Sequence, residues 1–389
     1  MSTRFVHTAD WQLGKPFAGI ADLQKRSLVQ QERFEVLKRI GQSAREHQAE
    51  FILVAGDLFD SATPTKEVVA AACSAIGALQ LPVLAIPGNH DAGSPGSVWH
   101  QRFFQTQCSA LAPNLRVLLE PVPAEIGSAV VFPCPLLRRA ESVDPTAWLR
   151  NIDASDERYA GKTRIVLAHG STHDFGSETD DEEIGSAANQ LSLASLPEAA
   201  FDYLALGDWH GTKQVGPKAW YSGTPERDRF PKGESNEPGN CLLVNLHRDV
   251  APEVIKTATA RFGWHDLAFD FVDDTGLQAL RLRLDSLIAG RAREDLLRLE
   301  LSGTLGIAAT NLLEEYLEGL EARLLRIKLY NRTRVAPTEE EIQSLTLRAS
   351  DPLIARVAHR LVIEAAGEGE EAAIARMALR ELHAACLHN

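Results

Sequence analysis

Phe51-Ile52-Leu53-Val54-Ala55-Gly56-Asp57-Leu58-Phe59-Asp60 decides the architecture. Its first five residues are apolar without alternation, and a glycine and an aspartate then break the run. A run this short, with β-branched Ile52 and Val54, predicts a strand buried on both faces. Gly56-Asp57 puts a sharp turn and a carboxylate at its carboxyl end.

The same grammar recurs through the first 210 residues. Arg4-Phe5-Val6-His7-Thr8-Ala9, Val83-Leu84-Ala85-Ile86, Arg164-Ile165-Val166-Leu167-Ala168 and Tyr203-Leu204-Ala205-Leu206 read as four further strands. Beyond them come Asp10, Gly88-Asn89-His90-Asp91, His169-Gly170 and Gly207-Asp208-Trp209-His210. Every strand end thus offers a group able to bind metal. Ligands of α/β sheets gather outside the carboxyl ends of strands, so five strands of one sheet are expected to deliver these groups to one crevice. A helical stretch from about Leu23 to His47 carries Phe34, Leu37, Ile40 and Ala44 on one face, and Thr63-Pro64 predicts the cap and first turn of a helix through Leu79. Alternating strand and helix imply an α/β sandwich.

The chain of 389 residues suits two or three domains. It is 44% hydrophobic and 24% charged, ordinary globular usage that excludes a disordered or fibrous protein. The net charge of -13 argues against binding nucleic acid or anionic membrane over the whole surface and leaves room for an acid-rich metal site. Five scattered cysteines form no C-x-x-C pair, so neither a disulfide framework nor a zinc knuckle is signalled. No apolar leader precedes Phe5, and no stretch approaches the roughly 18 apolar residues of a membrane span. The expectation is a cytoplasmic protein with no membrane partner.

From about Arg261 the pattern changes. Phe269 and Phe271 alternate with polar residues; Leu277, Leu280, Leu284 and Ile288 follow at helical spacing; Leu297, Leu299 and Leu301 predict another strand. A helix through Leu312 and Leu320 and a strand through Leu325, Ile327 and Leu329 complete a β-α-β-α-β unit. After Pro337, Thr338 and Glu341 form a capping box, Asp351-Pro352 opens a second helix, and Gly367-Glu368-Gly369 interrupts before a third. The expected domains are therefore 1–260, 261–335 and a helical tail, 336–389. The acidic run Glu178 to Glu183 reads as a solvated loop, and His7, His100 and His173 as hydrogen-bonded structural histidines.

The ordered set Asp10-x-Gln12, Gly56-Asp57-x-x-Asp60, Gly88-Asn89-His90-Asp91, His169 and Gly207-Asp208-x-His210 resembles the calcineurin-like metallophosphoesterases, whose motifs read D-x-H, G-D-x-x-D, G-N-H-D/E, H and G-H-x-H. Within them, His7-Thr8-Ala9-Asp10-Trp11-Gln12-Leu13-Gly14, Tyr221-Ser222-Gly223-Thr224-Pro225 and the small unit that follows are similar to the nuclease subunits of bacterial SbcCD and their archaeal and eukaryotic relatives. The resemblance implies an α/β phosphoesterase β-sandwich flanked by helices, a small α/β cap and a helical tail. It implies two divalent metal ions bridged by Asp57, with Asp10, residue 12 and His210 on one and Asn89, His169 and residue 208 on the other. His90 then stands beside the metals as acid or transition-state stabiliser, and Asp91 orients it. DNA, an SMC-like ATPase docking on the tail, and a homodimer are the implied partners.

Two residues depart from the family pattern. Gln12 and Asp208 both replace an imidazole nitrogen with oxygen, which favours hard ions, Mn²⁺ foremost and Mg²⁺ next, over Zn²⁺. Asp60 reads equally as a turn cap or as support behind the site. Three functions compete: a nuclease acting on DNA ends, a phosphodiesterase of small nucleotides, and a scaffold whose metal site is vestigial. The cap favours a large anionic substrate, since 11 Lys+Arg nearly balance 12 Asp+Glu between Arg261 and Arg334, against 24 and 32 in residues 1–260.

Overall fold

The computed structural model describes residues 2–153, 156–172, 188–231 and 237–387. His173 and the acidic run Glu178 to Glu183 lie outside the described residues. The chain divides into two compact units, Met1–Phe262 and Gly263–Asn389.

In chain order the first unit runs β1 (Ser2–Thr8), α1 (Leu23–Glu46), β2 (Phe51–Ala55), α2 (Lys66–Gly77), β3 (Val83–Ile86), α3 (Arg102–Leu111), β4 (Leu115–Val117), β5 (Ala124–Ile126), β6 (Ala129–Cys134), β7 (Thr163–His169), the short pair β8 (Ser171–Thr172) and β9 (Gln190–Leu191), β10 (Tyr203–Gly207), β11 (Lys213–Gln214), β12 (Ala219–Tyr221), β13 (Asn240–His247) and β14 (Glu253–Ala258). Two six-stranded sheets result, ordered β14-β13-β1-β2-β3-β4 and β11-β12-β10-β7-β6-β5. The five ligand-bearing strands are therefore not in one sheet as expected: β1, β2 and β3 belong to the first and β7 and β10 to the second.

The packing explains why the runs show no alternation. In β2, Phe51, Leu53 and Ala55 enter a core shared with Ile165, Leu167, Tyr203 and Ala205 of the other sheet. Ile52 and Val54 face Val36, Ile40, Val69 and Ile76 of α1 and α2. On the far side, Phe132, Val166 and Leu206 meet Leu149, Tyr159 and Phe201. Each strand is covered on both faces, so period two disappears from its hydrophobicity. Helix α2 starts later than predicted: Thr65, not Thr63, is the cap, its side chain accepting from Val68 N at 3.4 Å.

The second unit opens with β15 (Gly263–Phe271), α4 (Gly276–Ile288), β16 (Asp295–Leu305), α5 (Ile307–Arg323), β17 (Arg326–Asn331) and β18 (Arg334–Val335), and closes with α6 (Glu339–Thr346), α7 (Pro352–Ala365) and α8 (Glu370–Leu387). Strands β15, β16 and β17 are parallel neighbours, and Leu297, Leu299 and Leu301 meet Leu280, Leu284 and Leu313 beneath the helices. The tail helices pack on this unit. Ile307 shares a core with Leu345, Ala358 and Leu379. The capping-box Glu341 also accepts from Ile307 N at 3.0 Å and Ala308 N at 2.7 Å, closing the start of α5. Among the described residues, no helix is long and apolar enough to cross a membrane.

Candidate metal centre

The strand ends stay zippered past the last strand residues, which brings the motif residues together. Asp10 N donates to Gly56 O at 3.1 Å and Gln12 N to Asp57 O at 2.9 Å, while Gly170 N donates to Gly207 O at 3.1 Å. Four site residues bear the cost in backbone strain: Asp10 (φ 53°), Gln12 (φ 42°), Asp57 (φ 54°) and Asp208 (φ 105°) all have positive φ. Such conformations cost about 1–3 kcal/mol each and persist where the surroundings impose them. Two glycines make room for the side chains. A Cβ on Gly56 would stand 2.2 Å from His169 Nδ1, and one on Gly88 2.1 Å from Asp57 Oδ1.

One half of the cleft is a convergent ligand set. Atoms of Asp10, Asp57 and His169, all buried, lie within 4.8 Å of one another. His169 Nδ1 meets the Ala55 carbonyl at 2.8 Å, so its Nε2 faces the cleft, 2.9 Å from Asn89 Oδ1 and 3.7 Å from both Asp57 Oδ1 and Asp208 Oδ1. Burial opposes a charged His169, yet Asp57, Asp10 and Asp208 prevail and push its pKa up to about 9. A divalent ion held by these oxygens and Nε2 would displace that proton. Burial, partly offset by His169 and reinforced by Asp57 and Asp208, raises the Asp10 carboxyl well above the usual range. Ser171 Oγ fixes Asp208 Oδ2 at 2.6 Å. These oxygen-rich donors fit a hard divalent ion.

The other half is different. Gln12, expected to lend its carbonyl to a metal, instead accepts from Lys15 Nζ at 2.6 Å. Its amide nitrogen therefore faces His210 Nε2, at 3.4 Å. Lys15 Nζ also pairs with Asp228 Oδ2 at 2.9 Å and approaches Asp60 Oδ1 at 3.8 Å. His210 Nδ1 lies 3.1 Å from Asp228 Oδ1, and Arg229 Nη2 lies 3.0 and 3.3 Å from the two ring nitrogens. Burial lowers the His210 pKa, and although burial alone would raise Asp228, the surrounding His210, Lys15 and Arg229 hold that carboxyl well below its ordinary value.

His90 stands beside Asp57, its Nε2 3.9 Å from Asp57 Oδ2, and its Nδ1 meets the backbone carbonyl of Asp60 at 3.1 Å. Asp60 thus supports the site through its main chain. Asp91, the expected orienting partner of His90, is engaged elsewhere. Its oxygens accept from Phe59 N at 3.0 Å and Gly88 N at 2.7 Å, tying together the loops that carry Asp57 and Asn89. Burial and the nearby Asp57 push its carboxyl up to about 7.

One contributor, Arg33, carried no recognisable sequence signal. Buried Arg33 of α1 donates to Asp10 O and Trp11 O, each at 2.9 Å, and to Glu226 O at 2.6 Å. Thr224, within the quoted Tyr221–Pro225 run, donates to Asp10 O at 2.9 Å. His7 is structural as read: its nitrogens meet Tyr203 OH at 3.0 Å and Leu206 O at 3.1 Å, and burial lowers its pKa to about 3. His100 Nε2 meets Gly93 O at 3.2 Å. Trp11 is a core residue bonded to Thr8 Oγ1 at 2.9 Å.

Residues 3–212 match the family described as calcineurin-like phosphoesterase. A protein from Staphylococcus epidermidis, named as a subunit of the nuclease SbcCD, is 32% identical over 222 residues, 53% of this chain and 56% of that protein. The chain thus spans about half the length of that relative. The crystal structure of TT1561 of Thermus thermophilus is similar at a TM-score of 0.40 and 12% identity, over 67% of this chain and 100% of that one. With strand-end carboxylates and a histidine gathered in one cleft and the family match spanning more than half its length, this chain belongs to the calcineurin-like phosphoesterases.

Proposed function

We propose that this chain is a metal-dependent phosphodiesterase that cleaves DNA, acting as the nuclease partner of an SMC-like ATPase. The observation that carries the reading is the buried cluster of Asp10, Asp57 and His169 with His90 at its edge. The relative named as part of the nuclease SbcCD supports the choice of DNA. Asp57, Asn89, His169 and Asp208 would hold a divalent ion, with Asp10 adjoining, and oxygen donors favour Mn²⁺ or Mg²⁺. Such an ion polarises a phosphoryl oxygen and acidifies a water.

The chain's own groups do the rest. His90, fixed at Nδ1 by the Asp60 carbonyl, presents Nε2 to the cleft, where it gives a proton to the leaving oxygen. Asp91 holds the Asp57 and Asn89 loops in register. The ATPase would dock on the exposed Leu353, Val357, Ile374 and Met377 of α7 and α8.

Manganese-dependent hydrolysis of a chromogenic phosphodiester, followed by cleavage of linear against closed circular DNA, tests the reading. Activity on both the small ester and linear DNA is expected. Hydrolysis of the small ester without cleavage of any DNA would point to a nucleotide substrate, and no hydrolysis at all to a scaffold. Ile374→Glu with Met377→Glu, rather than removal of the tail, tests docking, because residues after Val335 complete the core around Ile307.

A further inference from the structure

We infer that the cleft takes one divalent ion, in the Asp57–Asn89–His169–Asp208 half, and that Lys15 and Arg229 supply fixed positive charge where a second ion would otherwise sit. The inference rests on the metal-dependent reading above and refines it.

Three observations carry it. The first is the orientation of Gln12. An ammonium can only donate, so the 2.6 Å contact with Lys15 Nζ must engage the amide oxygen. The amide nitrogen is then the atom 3.4 Å from His210 Nε2, and it presents hydrogens to the ring's lone pair. A ligand carbonyl and a ligand imidazole are thereby turned on their neighbours.

The second is Asp228. Its Oδ1 faces His210 Nδ1 at 3.1 Å and Arg229 Nε at 3.4 Å, and its Oδ2 pairs with Lys15 at 2.9 Å. A carboxylate behind a histidine commonly prepares the ring's other nitrogen as a metal ligand. Here the same carboxylate also brings two cations to that ring, and Arg229 Nη2 is 3.3 Å from the nitrogen that would bind.

The third is the charge balance. Among the described residues, Lys15 and Arg229 match Asp60 and Asp228 one for one, which leaves this half no surplus carboxylate of its own to hold a divalent ion. Asp10, Asp57 and Asp208 remain for the other half, facing His169. Lys15 and Arg229 keep 21% and 30% of their side-chain surface exposed, enough to meet a phosphate oxygen of the substrate.

The test counts ions with Mn²⁺ alone as the probe. Calorimetric titration of the full chain should give one Mn²⁺ per chain, and electron paramagnetic resonance the six-line signal of an isolated ion. Gln12→His combined with Lys15→Ala should take up a second ion and show exchange coupling between the two. Two coupled ions in the wild type would overturn the inference, as would a folded double variant that still binds one. If the double variant does not fold, the wild-type stoichiometry decides alone. A wild type that binds no Mn²⁺ overturns the functional reading itself, an outcome distinct from two ions.

Discussion

The two halves of the cleft start from the same kind of material, a strand end carrying an aspartate, and finish as opposites. Around His169 the neighbours among the described residues are Asp57, Asp10, Asn89 and Asp208, all oxygen donors, and despite burial the carboxylates drive the ring toward protonation. Around His210 burial drives the ring toward neutrality, against the pull of Asp228, and the nearby Arg229 and Lys15 add to it. Two histidines at motif positions thus stand in opposite electrostatic surroundings.

Asp57→Ala should have the largest effect. Its carboxylate faces both His169 and His90, and removing it should abolish Mn²⁺ binding by calorimetry and reduce phosphodiester hydrolysis to background. Undiminished binding would break the assignment of this half. His90→Ala comes next: Mn²⁺ binding should persist while kcat falls roughly 10²–10⁴-fold, the range of a positioned acid or base. A wild-type kcat would move proton transfer to another group.

The opposite half depends on Arg33, which clamps the Asp10 loop to the strand-end loop bearing Glu226 and, two residues on, Asp228. Arg33→Met removes the charged donor shared by the carbonyls of Asp10, Trp11 and Glu226 and should destabilise the first unit by roughly 3–5 kcal/mol, read from urea unfolding. A loss below about 1 kcal/mol would show that the loops hold without the clamp.

Near neutral pH the smallest effect comes from buried His7 of β1. His7 is neutral when folded, because burial lowers its pKa to about 3, whereas an unfolded histidine titrates near 6.5. Between those values the unfolded chain binds more protons, so stability falls as pH drops from about 6.5 to about 3, by up to about 1.4 kcal/mol per pH unit. His7→Gln should flatten the pH dependence of unfolding across that window. An unchanged slope would mean that other groups set it.

The contrast between the halves also marks what could be read from sequence. The convergence of Asp10, Asp57, Asn89, His169 and Asp208 was legible because each ends its own buried strand or follows it within a few residues, and the capping box at Thr338 was legible because capping is local. The division of the strands between two sheets was not, since strands covered on both faces carry no sign of which partner covers them. Lys15 was hidden for another reason: its meaning depends on Asp228, 213 positions away in sequence and brought close only by the assembled loops. For Asp91 the resemblance implied a role orienting His90, while its buried oxygens accept from the backbone amides of Phe59 and Gly88, contacts that only the folded loops reveal.

The most direct test of the one-ion cleft is anomalous diffraction from crystals of the full chain soaked in Mn²⁺. The account predicts a single manganese peak within ligand distance of Asp57, Asn89, His169 and Asp208, with Lys15 still on Gln12. A second peak between Gln12 and His210, with Lys15 displaced, would contradict it.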